Sequence, residues 1–220
     1  MLKDGEKGVI LQRDKETYAI APHVACGVIT PELLRKLADA ADKYNAKAVK
    51  ITSAARIALV GIKEDDVDAV WRDLGMDPGH AVGLCVRSVK ACPGNQFCRL
   101  AKQDSLAMGM KLDEIYHGYE LPSKTKMGVS GCQNQCAETW IKDIGLVGKK
   151  NGWTLLVGGS AASRPRLAEV LVENLDSEEA LDTIKKIMAF YKENGKKLER
   201  IGRMMDRIGF DAFQSAILGT

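Results

Sequence analysis

Short runs of alternating apolar and polar residues open the chain, followed by apolar positions at helical spacing. Residues 8 to 22 hold two β-type runs on either side of a polar Asp14-Lys15-Glu16, which reads as a hairpin. Thr30 offers an N-cap oxygen, and Pro31 suits the first helical position. Leu33, Leu34, Leu37, Ala38 and Ala41 then share one apolar face, predicting a helix over 31–44. Lys47–Thr52 and Arg56–Ile62 predict two short strands. Glu64, Asp65 and Asp66 place acids at the positive end of the next helix, where Val67, Val70, Trp71 and Leu74 share a face and Gly75 marks the stop. The first lobe therefore reads ββαββα, and the turn Asp77-Pro-Gly-His80 sets its boundary, giving a first domain of 1–78.

The second lobe opens with a β-like stretch near 83–90, and a helix is expected from about 99 to 116. Ile144–Gly148 and Trp153–Gly159 read as paired strands joined by the turn Lys149-Lys-Asn-Gly152. From 177 onward the pattern is helical, with Leu181, Ile184, Ile187, Met188 and Tyr191 on one face and Gly195 as a stop. The expected organisation is an α+β fold whose second domain covers 79–195, followed by a helical extension over 196–220. No low-complexity linker or internal repeat is evident.

With 220 residues, 45% of them hydrophobic, the chain can bury a core without disulfide staples. Its first residues lack an apolar signal core, and no run of about 18 apolar residues follows, so a soluble cytoplasmic protein is expected. In that compartment thiols stay reduced, and six clustered cysteines point to metal ligation. Against 32 basic residues stand 29 acidic ones, a net charge of +3 with no block suited to nucleic acid. Any anionic ligand must be held by locally placed bases.

The spacing of the cysteines carries most of the chemistry. Cys92-Pro-Gly-Asn-Gln-Phe-Cys98 is a C-x5-C, and Cys132-Gln-Asn-Gln-Cys136 follows as a C-x3-C. Four thiolates can close the coordination of a cubane cluster, one per iron. Pro93 and Gly94 favour a loop in the first pair, while i, i+4 spacing would put both sulfurs of the second pair on one face of a helix. Structural zinc is the alternative, although its cysteine pairs usually sit closer in sequence than the x5 loop allows. Cys26 and Cys85 stand outside the pattern and read as core thiols. His80 and His117 read as solvated or capping side chains.

Ala91-Cys-Pro-Gly-Asn-Gln-Phe-Cys-Arg-Leu-Ala101, Ser130-Gly-Cys-Gln-Asn-Gln-Cys-Ala137 and Asp143-Ile-Gly-Leu-Val-Gly148 together resemble the sirohaem/iron-sulfur signature of sulfite and nitrite reductases, the small assimilatory-type sulfite reductases above all. Ile51-Thr-Ser-Ala-Ala-Arg-Ile-Ala-Leu-Val-Gly-Ile62 is similar to the family's ferredoxin-like half-domain. The resemblance implies a half-domain lobe packed on a sirohaem and 4Fe-4S lobe, with Cys92, Cys98, Cys132 and Cys136 as cluster ligands and Cys136 bridging to sirohaem. It also implies reduction of sulfite to sulfide by six electrons, with nitrite reduction, or a non-catalytic sirohaem/iron-sulfur electron carrier, as alternatives.

Sirohaem bears many carboxylates and the substrate is an anion, so fixed bases are required. The resemblance nominates Lys124, Lys126 and Arg87 for substrate. Bases near the motifs, Lys50, Arg56, Lys90, Arg164 and Arg166, are candidates for the sirohaem carboxylates. His23 stands where the family tends to place a substrate-facing arginine. The larger family enzymes hold two copies of this arrangement and this chain holds one, which leaves monomer and homodimer both open. No Gly-x-Gly-x-x-Gly follows a strand, so an external donor, ferredoxin-like or another carrier, is expected. A pI near 8.5 suits an acidic one.

Overall fold

The computed structural model describes residues 1–219, which divide into two compact units meeting in sequence at Gly83 and Leu84. In the first unit, β1 (Val9–Leu11), β2 (Thr17–Ile20), α1 (Pro31–Lys43), β3 (Ala48–Ile51), β4 (Ile57–Lys63) and α2 (Val67–Leu74) follow one another as expected. The strands form an antiparallel sheet in the order β1-β2-β4-β3. The Thr30 hydroxyl accepts the Leu33 N–H at 3.2 Å, so the expected cap starts α1. The apolar faces of α1 and α2 meet the inner positions of the sheet, burying Tyr18, Ile20, Leu37, Leu59, Ile62, Val70, Trp71 and Leu74 in one core. Polar ends inside this core are satisfied: the Trp71 indole donates to the Lys7 carbonyl at 2.9 Å, and the Tyr18 hydroxyl to Glu64 Oε2 at 2.8 Å. Edge strand β3 is exposed along its whole length.

The second unit is built on a five-stranded sheet in sequential order: β5 (Val86–Ala91), β6 (Thr125–Ser130), β7 (Ile144–Lys149), β8 (Gly152–Val157) and β9 (Glu169–Leu175). The first three strands run parallel and the last three antiparallel. A parallel pair needs a crossover, and α3 (Ser105–Tyr116) supplies it between β5 and β6, packing on both. The crossover from β6 to β7 has no α-helix; it is the cysteine-bearing segment 131–143. After β9, a capping box between Asp176 and Glu179 starts α4 (Ser177–Asn194), which packs on β8 and β9. α5 (Ile201–Ile208) and α6 (Phe210–Leu218) pack with α4, so the residues expected as an extension belong to the second unit.

One local expectation fails, and one condition is not met. The helix expected from residue 99 begins only at Ser105, because the N–H groups of Lys102 and Gln103 are spent on the Gly131 carbonyl, at 2.6 and 3.2 Å, and Asp104 then caps Ala107. Nor is the C-x3-C segment helical: Gln135 and Glu138 take positive φ values of 52° and 56°, which break a right-handed turn. Strand β9 is an addition, and its half-exposed sequence, Glu-Val-Leu-Val-Glu-Asn-Leu, carries only a weak alternation.

Ile184 on α4 is fully buried. Truncating it to alanine is expected to cost about 2–5 kcal/mol, seen as a lower urea midpoint at unchanged slope.

Candidate metal and cofactor site

Both cysteine pairs follow the C-terminal ends of adjacent parallel strands. Cys92 comes directly after β5, and its N–H still bonds the Val129 carbonyl of β6 at 3.1 Å. Cys132 comes two residues after β6. Gly131 ties the pairs together: its N–H donates to Cys92 Sγ at 3.2 Å, while its carbonyl takes the Lys102 and Gln103 N–H groups. The buried Ser105 hydroxyl donates to the Cys92 carbonyl and lies 3.0 Å from Cys92 Sγ. Cys98 is drawn back over its own loop by an N–H bond to the Gly94 carbonyl at 2.8 Å. On the other side, Ser130 Oγ accepts the Ala137 N–H at 3.1 Å, closing the loop that carries Cys132 and Cys136.

Two glycines allow this second loop to lie flat on the sheet. A Cβ at Gly128 would stand 2.9 Å from the Ala137 carbonyl oxygen and from Lys142 Cγ; one at Gly145 would stand 2.6 Å from the Thr139 carbonyl oxygen. The glycine punctuation of strands β6 and β7 is thus a mould for the cysteine loop.

The hydrogen bond from the Gly131 N–H to Cys92 sulfur suits a thiolate ligand. A cubane takes one thiolate at each of four separated irons, and a donor set of four cysteines in two pairs after adjacent strands fits that group.

A polar cluster borders the loop. Lys90 and Lys142 both pair with Glu138, at 3.1 and 2.9 Å, and hold its carboxyl below the usual carboxylate range. Half-buried Lys126 has its proton affinity lowered by burial first, and then by the charges of Lys142, Arg200 and Lys124. Its backbone N–H bonds Asp143, a fully buried carboxylate that also takes two Arg200 N–H groups at 2.9 and 2.6 Å. Desolvation pushes the Asp143 carboxyl up, and Arg200 pulls it back.

Of the bases nominated from sequence, Lys90, Lys124 and Lys126 thus lie with or beside this cluster, and Arg87 sits half-buried on β5. Arg164 lines a small cavity of about 180 Å³ together with Ser160, Arg200 and Arg203. Arg166 lines the same cavity, with its guanidinium engaged by Glu169, Asp206 and the Gly158 carbonyl. Lys50 and Arg56 belong to the first unit; the Lys50 ammonium donates to the Ile51 carbonyl at 2.6 Å, and Arg56 is buried. Sequence reasoning missed Lys142, Glu138 and Arg200. A signal for Lys142 existed: Lys142-Asp143 puts two charges at the head of a strand that is otherwise apolar, an arrangement that demands partners.

The description "Nitrite and sulphite reductase 4Fe-4S domain" matches residues 82–219, and "Nitrite/Sulfite reductase ferredoxin-like half domain" matches residues 10–76. The chain is 45% identical to an assimilatory-type sulfite reductase of Nitratidesulfovibrio vulgaris, over 99% of this chain and all of that one. It is 41% identical to a nitrite reductase [NAD(P)H] of Bacillus subtilis over 94% of its own length, but spans only 26% of that protein. The crystal structure of dissimilatory sulfite reductase I superposes with a TM-score of 0.81 at 17% identity, covering 93% of this chain and 69% of that one.

Replacing Arg200 with methionine strands Asp143 as an unpaired buried charge. The expected cost is about 3–5 kcal/mol, read as a lowered melting temperature, with much of it recovered when Asp143→Asn is added.

Proposed function

This chain belongs to the nitrite and sulphite reductase family, and from that premise we propose that it reduces sulfite to sulfide with electrons from an external carrier, in the manner of the assimilatory-type enzymes. Its cofactors are sirohaem and a 4Fe-4S cluster. When bound, the pair supplies stored electrons beside an iron with an open coordination position. Cys92, Cys98, Cys132 and Cys136 would hold the cluster, and Cys136, the exposed member of the four, would be the thiolate shared with sirohaem. The observation that carries this reading is the Gly131 tie, which brings together two cysteine pairs distant in sequence and gives Cys92 sulfur a backbone hydrogen bond.

Sulfite gives up three oxygens as water, so the pocket must bind an oxyanion and deliver protons repeatedly. Lys126 suits both tasks. Its charge attracts the anion, and its depressed proton affinity makes the ammonium a readier donor than a solvated lysine. Lys124 and Arg87 add charge, while Lys90, Lys50, Arg56, Arg164 and Arg166 are the proposed holders of sirohaem carboxylates. Lys142 and Glu138 position the cluster of charges around Lys126. Nitrite to ammonia is the second reading, favoured by the likeness to nitrite reductases. No helix among the described residues is long and apolar enough to cross a membrane. We place the protein in the cytoplasm, with a small acidic carrier as donor.

Anaerobically purified protein should show sirohaem bands and stoichiometric acid-labile sulfide, both disturbed by Cys136→Ser. A colourless protein containing zinc would sink the reductase reading. Lys126→Met is expected to keep the visible spectrum and lower kcat about 10²–10⁴-fold with a reduced dye as donor.

The pH profile offers a further check. A lysine with lowered proton affinity deprotonates earlier, so kcat/KM should fall on the alkaline side before the ordinary lysine value of about 10.4 is reached. Lys142→Met removes one of the charges responsible, and the alkaline limb should move upward.

A further inference from the structure

Between α3 and α4 lies a concavity that neither the cysteine loops nor the charge network uses. It holds about 470 Å³, with Ile115, Tyr116 and Tyr119 on one side and Leu181, Asp182 and Lys185 on the other. The Tyr119 N–H donates to the Tyr116 carbonyl at 2.8 Å, which turns the chain at the end of α3, and the two rings meet edge to face with centroids 5.9 Å apart. The Lys192 ammonium stands 4.4 Å from the centroid of the Tyr119 ring and steadies it. Buried Met188 and half-buried Leu181 extend the apolar lining, and Ile115 is 46% exposed at its edge. Three polar groups here have no partner among the described residues. Tyr116 is only 6% exposed, yet its hydroxyl makes no hydrogen bond, an omission that asks for an occupant. Asp182 and Lys185, exposed and one turn apart on α4, form no ion pair with each other or with a third residue. Burial first, then neighbouring Tyr119 and Asp182, pushes Tyr116 above the usual tyrosine value, so its hydroxyl stays a protonated donor.

We propose that this concavity is a binding site for a free α-amino acid with an apolar side chain. Its ammonium meets Asp182, its carboxylate meets Lys185 and the Tyr116 hydroxyl, and its side chain covers Ile115, Leu181 and Met188. A free amino acid presents both charges from a single carbon, and side chains three apart on a helix have Cβ atoms about 5–6 Å apart, so one molecule can satisfy both at once. Charge complementarity selects this class. A fatty acid or an amine carries one charge and leaves Asp182 or Lys185 without a partner, while a free amino acid without a side chain leaves the apolar lining wet. The lining is preformed, because the turn at Tyr119 and the stacking of the two rings fix the wall before any ligand arrives. A site this open, whose charges remain in contact with water, holds a small zwitterion with a Kd of about 0.1–1 mM. The inference goes beyond the reductase reading and does not depend on it.

The test is calorimetric titration of the holoprotein with L-methionine and L-leucine, which should each fill one site and raise the melting temperature at saturation. Glycine, hexanoate and butylamine, which lack the side chain, the ammonium and the carboxylate respectively, should bind roughly tenfold more weakly or worse. Asp182→Asn and Lys185→Gln are each expected to weaken methionine binding by about fivefold to tenfold. Tyr116→Phe keeps the ring and removes only the hydroxyl. It should weaken binding by a similar factor while the ligand-free melting temperature and the visible spectrum stay as they were, which separates a lost contact from a lost fold. No heat from methionine or leucine at about 10 mM would overturn the proposal. So would methionine binding that survives all three substitutions, which would put the amino acid elsewhere, or hexanoate binding as tightly as methionine, which would make this a site for apolar anions. Because binding is read without turnover, a holoprotein that fails to reduce sulfite would overturn the reductase reading and leave this one standing.

Discussion

The peptide group of Gly131 holds the second unit's chemistry in place. Its carbonyl gathers the N–H groups of Lys102 and Gln103, and its own N–H points at Cys92 sulfur. Each bond is worth little net, about 0.5–1.5 kcal/mol. Together they decide the path of the loop before α3, because those N–H groups cannot also serve a helix. The late start of α3 follows from that commitment. A side chain at Gly131 could not be accommodated either, since its Cβ would fall 2.8 Å from the Gln103 carbonyl oxygen.

Charge is organised around the same loop by a different rule. Asp143 stands fully buried at the head of β7, and the fork of Arg200, reaching back from the start of α5, together with the Lys126 N–H makes that burial tolerable. The pair therefore fastens the C-terminal helices to the strand that supports the cysteine loop. Arg200 also reaches Ser160 at 2.7 Å, so one guanidinium links three separate stretches of chain. Lys126 inherits its altered acidity from this neighbourhood: it is crowded by cations and only partly relieved by Asp143.

Much of this was legible in the sequence. The ββαββα order, the Thr30 cap and the pairing of β7 with β8 rest on local signals, namely period-two alternation, capping residues and a polar turn, and the structure agrees. The four cysteines and the glycine-punctuated strands carried the family resemblance. What could not be read is what depends on distant partners. Nothing near residue 99 announces that the N–H groups of Lys102 and Gln103 will be taken by a carbonyl nearly thirty residues on. Nothing in Arg200 itself names Asp143. The i, i+4 spacing of Cys132 and Cys136 would share one face only of a helix, and the positive φ values at Gln135 and Glu138 show that the segment is not one.

Cys92 and Cys132 stand just past the ends of two hydrogen-bonded parallel strands. Neighbouring strands lie about 4.8 Å apart whatever their side chains. The spacing of the points from which the two cysteine loops depart is thus borrowed from the backbone ladder, a ruler that sequence drift in the surrounding side chains cannot restretch. Substitution can retune the charges nearby while that spacing keeps its measure.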